Sequence, residues 1–155
     1  MKKILNIMAA SIVILLSGCI SDENDTIMSE EDLIKLAVKL DREEKNYKEA
    51  AKYYFLAAEK GNTTALNNLG ILYEFGQGVE QDYAKSFMYY NKAVELDNNH
   101  TSLHNLAGLY LYGWGVKKNK EKALELLKKS ADLGNKYAMS DLYWLTHSES
   151  KHEYE

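Results

Sequence analysis

Two histidines and two glycine pairs are the residues whose types and spacing could carry chemistry in this chain. His100 and His104 stand four apart, which puts both imidazoles on one face of a helix, within reach of one divalent ion. A metal site needs further ligands, and no Glu or His follows at a patterned distance, so neither a metal nor any other cofactor is expected. Gly76-Gln77-Gly78 and Gly113-Trp114-Gly115 could be phosphate-cradling turns. A dinucleotide fingerprint requires a preceding strand and a third glycine, and a P-loop requires Gly-Lys-Ser/Thr. Both are missing, so these glycines read as helix terminators. Glu43 and Glu44 sit at a charged helix end, the pattern of a solvated face rather than of an acid–base pair. His147 and His152 lie at the C-terminal edge and are expected to be exposed. No nucleophile elbow and no His-Glu-x-x-His occurs. No catalytic residue is assigned, and neither enzyme activity nor a small-molecule substrate is expected.

The elements that would position these residues are bounded by composition. With 155 residues, 46% of them apolar, the chain is long enough for one domain to bury a core without cross-links. One cysteine rules out a disulfide framework and a cysteine zinc cluster, and the absence of proline argues against collagen-like or polyproline chains. A formal charge of −4 is the wrong sign for a nucleic-acid reader.

The N-terminus is an address. Lys2 and Lys3 precede an apolar run from Ile4 to Leu16. As a helix it spans about 20 Å, short of the roughly 30 Å hydrocarbon core, so it reads as a secretory signal rather than an anchor. Leu16-Ser17-Gly18-Cys19 resembles the lipobox of bacterial lipoproteins. The resemblance implies cleavage before Cys19, acylation of its thiol and amino terminus, and, with Ile20 rather than Asp next, passage to the outer membrane facing the periplasm. Residues 1–18 are then the signal peptide, and 19–29 the lipidated cysteine with an acidic, aperiodic tether carrying Asp22, Glu23 and Asp25.

Beyond the tether the chain repeats itself. Asn68-Leu69-Gly70-Ile71-Leu72-Tyr73 matches Asn105-Leu106-Ala107-Gly108-Leu109-Tyr110 at an offset of 37, and the glycine pairs follow in register. Tyr47 to Gly61 matches Tyr83 to Asp97 at an offset of 36, including the tyrosine pairs 53/54 and 89/90. Such a period means stacked supersecondary units. Each unit is two helices. Leu66, Leu69, Gly70 and Tyr73 form one helical face, Gly70 admits a close neighbour, and Gly76 ends the helix. Asp82 is placed to cap the second helix, which presents Phe87, Tyr90, Ala93 and Val94.

The pattern formed by Ala65, Leu69, Gly70, Tyr73, Gly76, Gly78, Val79 and Asp82 resembles the Sel1-like repeat, a relative of the tetratricopeptide repeat with a longer, glycine-marked loop. The next copy carries Leu106, Tyr110, Gly113, Gly115 and Val116, with Ala107 and Asn119 as departures. The first unit, Glu30 to Asn62, lacks the glycine loop and is closer to a plain tetratricopeptide repeat, with Ser29 and Asp32 as a capping-box-like start. A final half-unit begins at Lys136. The expected fold is all-α, a short right-handed superhelical solenoid of about three and a half helix pairs over 30–147, with 148–155 as a tail.

The resemblance implies that first helices line a concave groove. It places Asn67, Ile71 and Glu74 there, then His104 and Leu111, then Tyr137 and Trp144. Trp144 could instead pack the last helix onto the third unit. Trp114 is expected either to tuck onto Tyr110 or Tyr112 or to serve as an exposed anchor, the residue type that dominates interface hot spots. Charge is uneven: residues 20–49 carry a net −5 and residues 117–136 a net +4. The basic end could steer an acidic partner, although a lysine-rich solvated helix explains it as well. Cysteine-rich Sel1-like proteins linked to β-lactam chemistry suggest a hydrolase, but their cysteines are missing here. The expectation is a membrane-anchored module that binds another protein in the periplasm as an adaptor. The alternative is an immunity lipoprotein that neutralises a secreted toxic effector such as a lipase.

Overall fold

The computed structural model describes residues 28–147. The signal peptide, Cys19, most of the tether and the C-terminal tail lie outside the described residues. Seven helices follow in order: α1 Glu30–Arg42, α2 Tyr47–Glu59, α3 Thr63–Phe75, α4 Tyr83–Leu96, α5 His100–Tyr112, α6 Lys120–Asp132 and α7 Lys136–His147. Among the described residues there is no strand, and no helix is long and apolar enough to cross a membrane. Each helix packs against the next one in sequence, so the helices stack as pairs along one axis. This is an all-α superhelical solenoid, as the repeat predicts.

Caps set the helix boundaries. Ser29 accepts from the Asp32 N–H at 3.1 Å and donates to its carboxylate at 2.6 Å. Asn46, Asn62, Asn99 and Asn135 accept from first-turn N–H groups of α2, α3, α5 and α7, and Asp82 and Asn119 do so for α4 and α6. Each cap satisfies N–H groups that the first turn leaves without partners.

The two glycines of each loop do different work. Gly76 and Gly113 take the left-handed conformation, with φ of 65° and 79°, and their N–H groups bond back to Leu72 and Leu109. Gly78 and Gly115 also have positive φ, but they are needed for space as well. A Cβ on Gly78 would run into the backbone of Tyr47 and Lys48, and one on Gly115 into the backbone of Tyr83 and Ala84. Each loop therefore rests on the first turn of the preceding unit's second helix and fixes the pitch of the stack. The first unit has no such loop. There Lys45 takes φ 55°, which side chains disfavour.

The core consists of two clusters that follow one another along the stack. Leu33, Ala37, Leu66, Leu69 and Leu72 are buried with Ala50, Tyr54 and Ala57 in its first half. Tyr90, Leu103, Leu106, Leu109, Leu126 and Leu127 fill the second. Burying each leucine contributes about 1.5–3 kcal/mol. Gly70 is where the sequence expects a close approach, and the ring of Tyr90 lies against it with no room for a Cβ. The second tyrosine of each pair is fully buried. Tyr54 donates to Asp41 at 2.9 Å and Tyr90 to Glu74 at 2.8 Å, so each hydroxyl is satisfied by a carboxylate on the preceding helix.

Candidate binding groove

The first helices of successive units are joined by polar contacts along one side of the stack. Asn62 donates to Glu30 at 2.8 Å, linking α3 to α1. The Asn67 carbonyl accepts from Ser102 at 3.2 Å and from Asn105 at 3.0 Å, linking α3 to α5. One unit further on, at the register of Asn67, His104 Nε2 lies 2.8 Å from an Asp141 carboxylate oxygen and links α5 to α7. Ser130 and Asn135 both donate to the His100 carbonyl, at 2.6 and 3.2 Å. The two histidines thus serve different partners, and among the described residues no group of three His, Cys, Asp or Glu side chains is arranged to hold a metal.

Between α3, α5 and α7 opens a cleft of about 360 Å³. Glu74, His104, Gly108 and Leu111 line it from α3 and α5, Trp144 and Asp141 from α7, and Tyr112 and Trp114 from the helix end and loop. Glu74 is half-buried. Burial pushes its carboxyl above the ordinary range, opposed by the Tyr90 hydrogen bond and by nearby His104. Burial, together with the Glu74 charge, raises the Tyr90 hydroxyl far above its usual value, so it stays a donor.

The aromatics around the cleft are held in fixed relations. Trp114 stacks on Tyr112 with centroids 4.9 Å apart and on Tyr83 at 5.2 Å. The tuck onto Tyr112 was one of the two sequence expectations; the contact with Tyr83 of the preceding unit was not foreseen. Trp114 still keeps 38% of its surface exposed. Trp144 is 65% exposed and meets Tyr143 edge-on at 5.8 Å, while Ala138, Leu142 and Leu145 attach α7 to the third unit. Packing of the last helix therefore does not depend on Trp144.

The cleft gathers Glu74, His104, Leu111, Trp114 and Trp144 from the sequence-predicted set. Tyr137 is 76% exposed, its ring tilted 6.4 Å from that of His104. Asn67 and Ile71 stand differently. Asn67 is only 8% exposed, its carbonyl committed to α5, and Ile71 is half-buried against the second half of the core. Helical spacing alone does not distinguish a groove-facing side chain from one clamped between adjacent first helices. Asn105, Tyr112 and Asp141 line the cleft without having been singled out. Asn105 and Asp141 share one register position, a step around the helix from the predicted row, so the repeat alignment held the signal.

The Sel1 repeat model matches residues 36–62, 63–98 and 100–135. Among solved structures, the chain is similar to c5321, described as a protective antigen present in uropathogenic Escherichia coli strains displaying an SLR fold. That match has a TM-score of 0.71 and 28% identity over 77% of this chain and 26% of that one. A Sel1 repeat protein from Oxalobacter formigenes gives 0.69 and 27% over 82% and 54%. Helicobacter pylori cysteine rich protein B gives 0.58 and 26% over 74% and 98%. The chain thus spans only part of the first two proteins. Among curated proteins, none matches it by sequence. The glycine loops, the close-packed second helices and the repeat match agree, and the chain belongs to the Sel1 repeat family.

Proposed function

We propose that this chain is a non-catalytic protein-binding module, tethered to a membrane through lipid on Cys19 and acting in the periplasm as an adaptor for a partner protein. The Sel1 repeat fold supports a protein–protein interaction module, and proteins of this family are generally non-catalytic. The observation that carries the reading is the gathering of Glu74, His104, Leu111, Trp114 and Trp144 around one cleft on the side formed by α3, α5 and α7. A rigid stack presents such side chains at low entropic cost, which favours recognition. Cys19 supplies the tether: several acyl chains, at about 0.8 kcal/mol per buried CH₂, give durable membrane residence.

The test has two arms. Metabolic labelling with palmitate and membrane fractionation should find the chain acylated and in the outer membrane, and Cys19→Ser unlabelled and released. Pull-down with the product of the adjacent open reading frame, with a growth assay, then separates the kinds of partner. Capture without toxicity supports the adaptor; capture together with rescue from that product's toxicity moves the assignment to immunity protein. An unlabelled chain that turns over an ester or β-lactam substrate would overturn the reading.

A further inference from the structure

Lysine is sparse on the helices around the cleft. Helices α3 and α5 contain no Lys or Arg, whereas α4 and α6 carry Lys85, Lys92, Lys120, Lys122, Lys128 and Lys129. The first helices are not free of positive charge, since α1 carries Lys35, Lys39 and Arg42 and α7 begins at Lys136, but no Lys or Arg lines the cleft, whose acidic groups are Glu74 and Asp141. Both of the chain's tryptophans, Trp114 and Trp144, line the same cleft as these carboxylates. At about 360 Å³ it lies at the small end of the roughly 300–1,000 Å³ range of ligand clefts, a size suited to one long side chain. An indole face attracts a cation, most strongly where water is excluded, and a carboxylate in the same enclosure adds a charged partner.

We propose that this cleft accepts a single arginine or lysine side chain displayed by an extended segment of the partner protein. Its aliphatic stem lies against Leu111, and its cationic head lies between the open indole face of Trp144 and the Glu74 and Asp141 carboxylates, since Tyr83 and Tyr112 already stack on Trp114. Asp141 is shared with His104. Glu74 keeps its second oxygen for the ligand while the first accepts from Tyr90. The proposal deepens the protein-binding reading, since it names the chemistry the groove selects.

Because the cleft contains both tryptophans, their fluorescence reports its occupancy. The intact chain is titrated with four blocked heptapeptides, Gly-Ser-Ala-X-Ala-Ser-Gly, where X is arginine, lysine, citrulline or glutamate. Saturable fluorescence changes are expected for arginine and lysine, with citrulline, the neutral isostere of arginine, and glutamate at least five-fold weaker. Glu74→Gln, which retains an acceptor for Tyr90, and Asp141→Asn should each weaken the arginine peptide several-fold with unchanged circular dichroism. Citrulline matching arginine, or glutamate exceeding it, would overturn the proposal, as would the absence of saturation. If the adjacent gene product is captured as before by Glu74→Gln and Trp144→Ala, the binding module stands and the cation pocket falls.

Discussion

Glu74 is the residue with the most to balance. It is drawn toward the core by the Tyr90 hydroxyl, and burial favours its protonated form. The sign of the resulting pH dependence follows. Between the ordinary carboxylate value of 4.5 and the raised one, the folded protein holds a proton that the unfolded chain has released. The Glu74 contribution is complete below that window and is lost as pH rises through it. Glu74→Gln removes this dependence. Thermal melts should therefore show the variant gaining on the parent as pH goes from 4 to 7; a constant difference would contradict the assignment. Asn67 and Trp144 make a second contrast. Truncating Asn67 leaves Ser102 and Asn105 without their shared acceptor, so Asn67→Ala should cost about 1–3 kcal/mol in denaturant melts. Trp144→Ala should cost under about 0.5 kcal/mol, as an exposed residue. At this scale the sequence was only partly legible. Burial of the second tyrosines could be read from helical spacing, but their carboxylate partners and the His104–Asp141 pair depend on how units nest.

At the scale of elements, almost everything was written locally. Capping residues fall at the start of all seven helices, and the period of the apolar residues gives their inward faces. What periodicity could not distinguish is why glycine is needed at each loop position. Gly61 and Gly134 have φ near 90° and open space around them, whereas Gly78 and Gly115 are pressed onto the backbone of the unit before. Gly134→Ala should therefore cost about 1 kcal/mol for backbone conformation alone. Gly78→Ala adds a clash that moves one unit against another, for about 1–3 kcal/mol more. Equilibrium unfolding of the two variants decides the matter, and equal losses would mean that the loops do not set the stack.

The whole molecule is a short solenoid whose two sides differ. Glu74 on α3, residues of α5, and Asp141 and Trp144 on α7 line the cleft, while α4 and α6 carry six lysines that do not line it. Repeat detection made the architecture legible, because each unit buries its face only against its neighbours and so must keep the same pattern. The groove's outline was less so. It takes in one further helical position, that of Asn105 and Asp141, a property of the stack that no single helix encodes. The central claim is that the partner is held on the groove side. Its most direct test is photo-crosslinking in cells with benzoylphenylalanine at Leu111 or Tyr137, against Met88 or Lys128 on the second helices. The account predicts one discrete adduct from Leu111 and Tyr137 and none from Met88 and Lys128; the reverse pattern would contradict it.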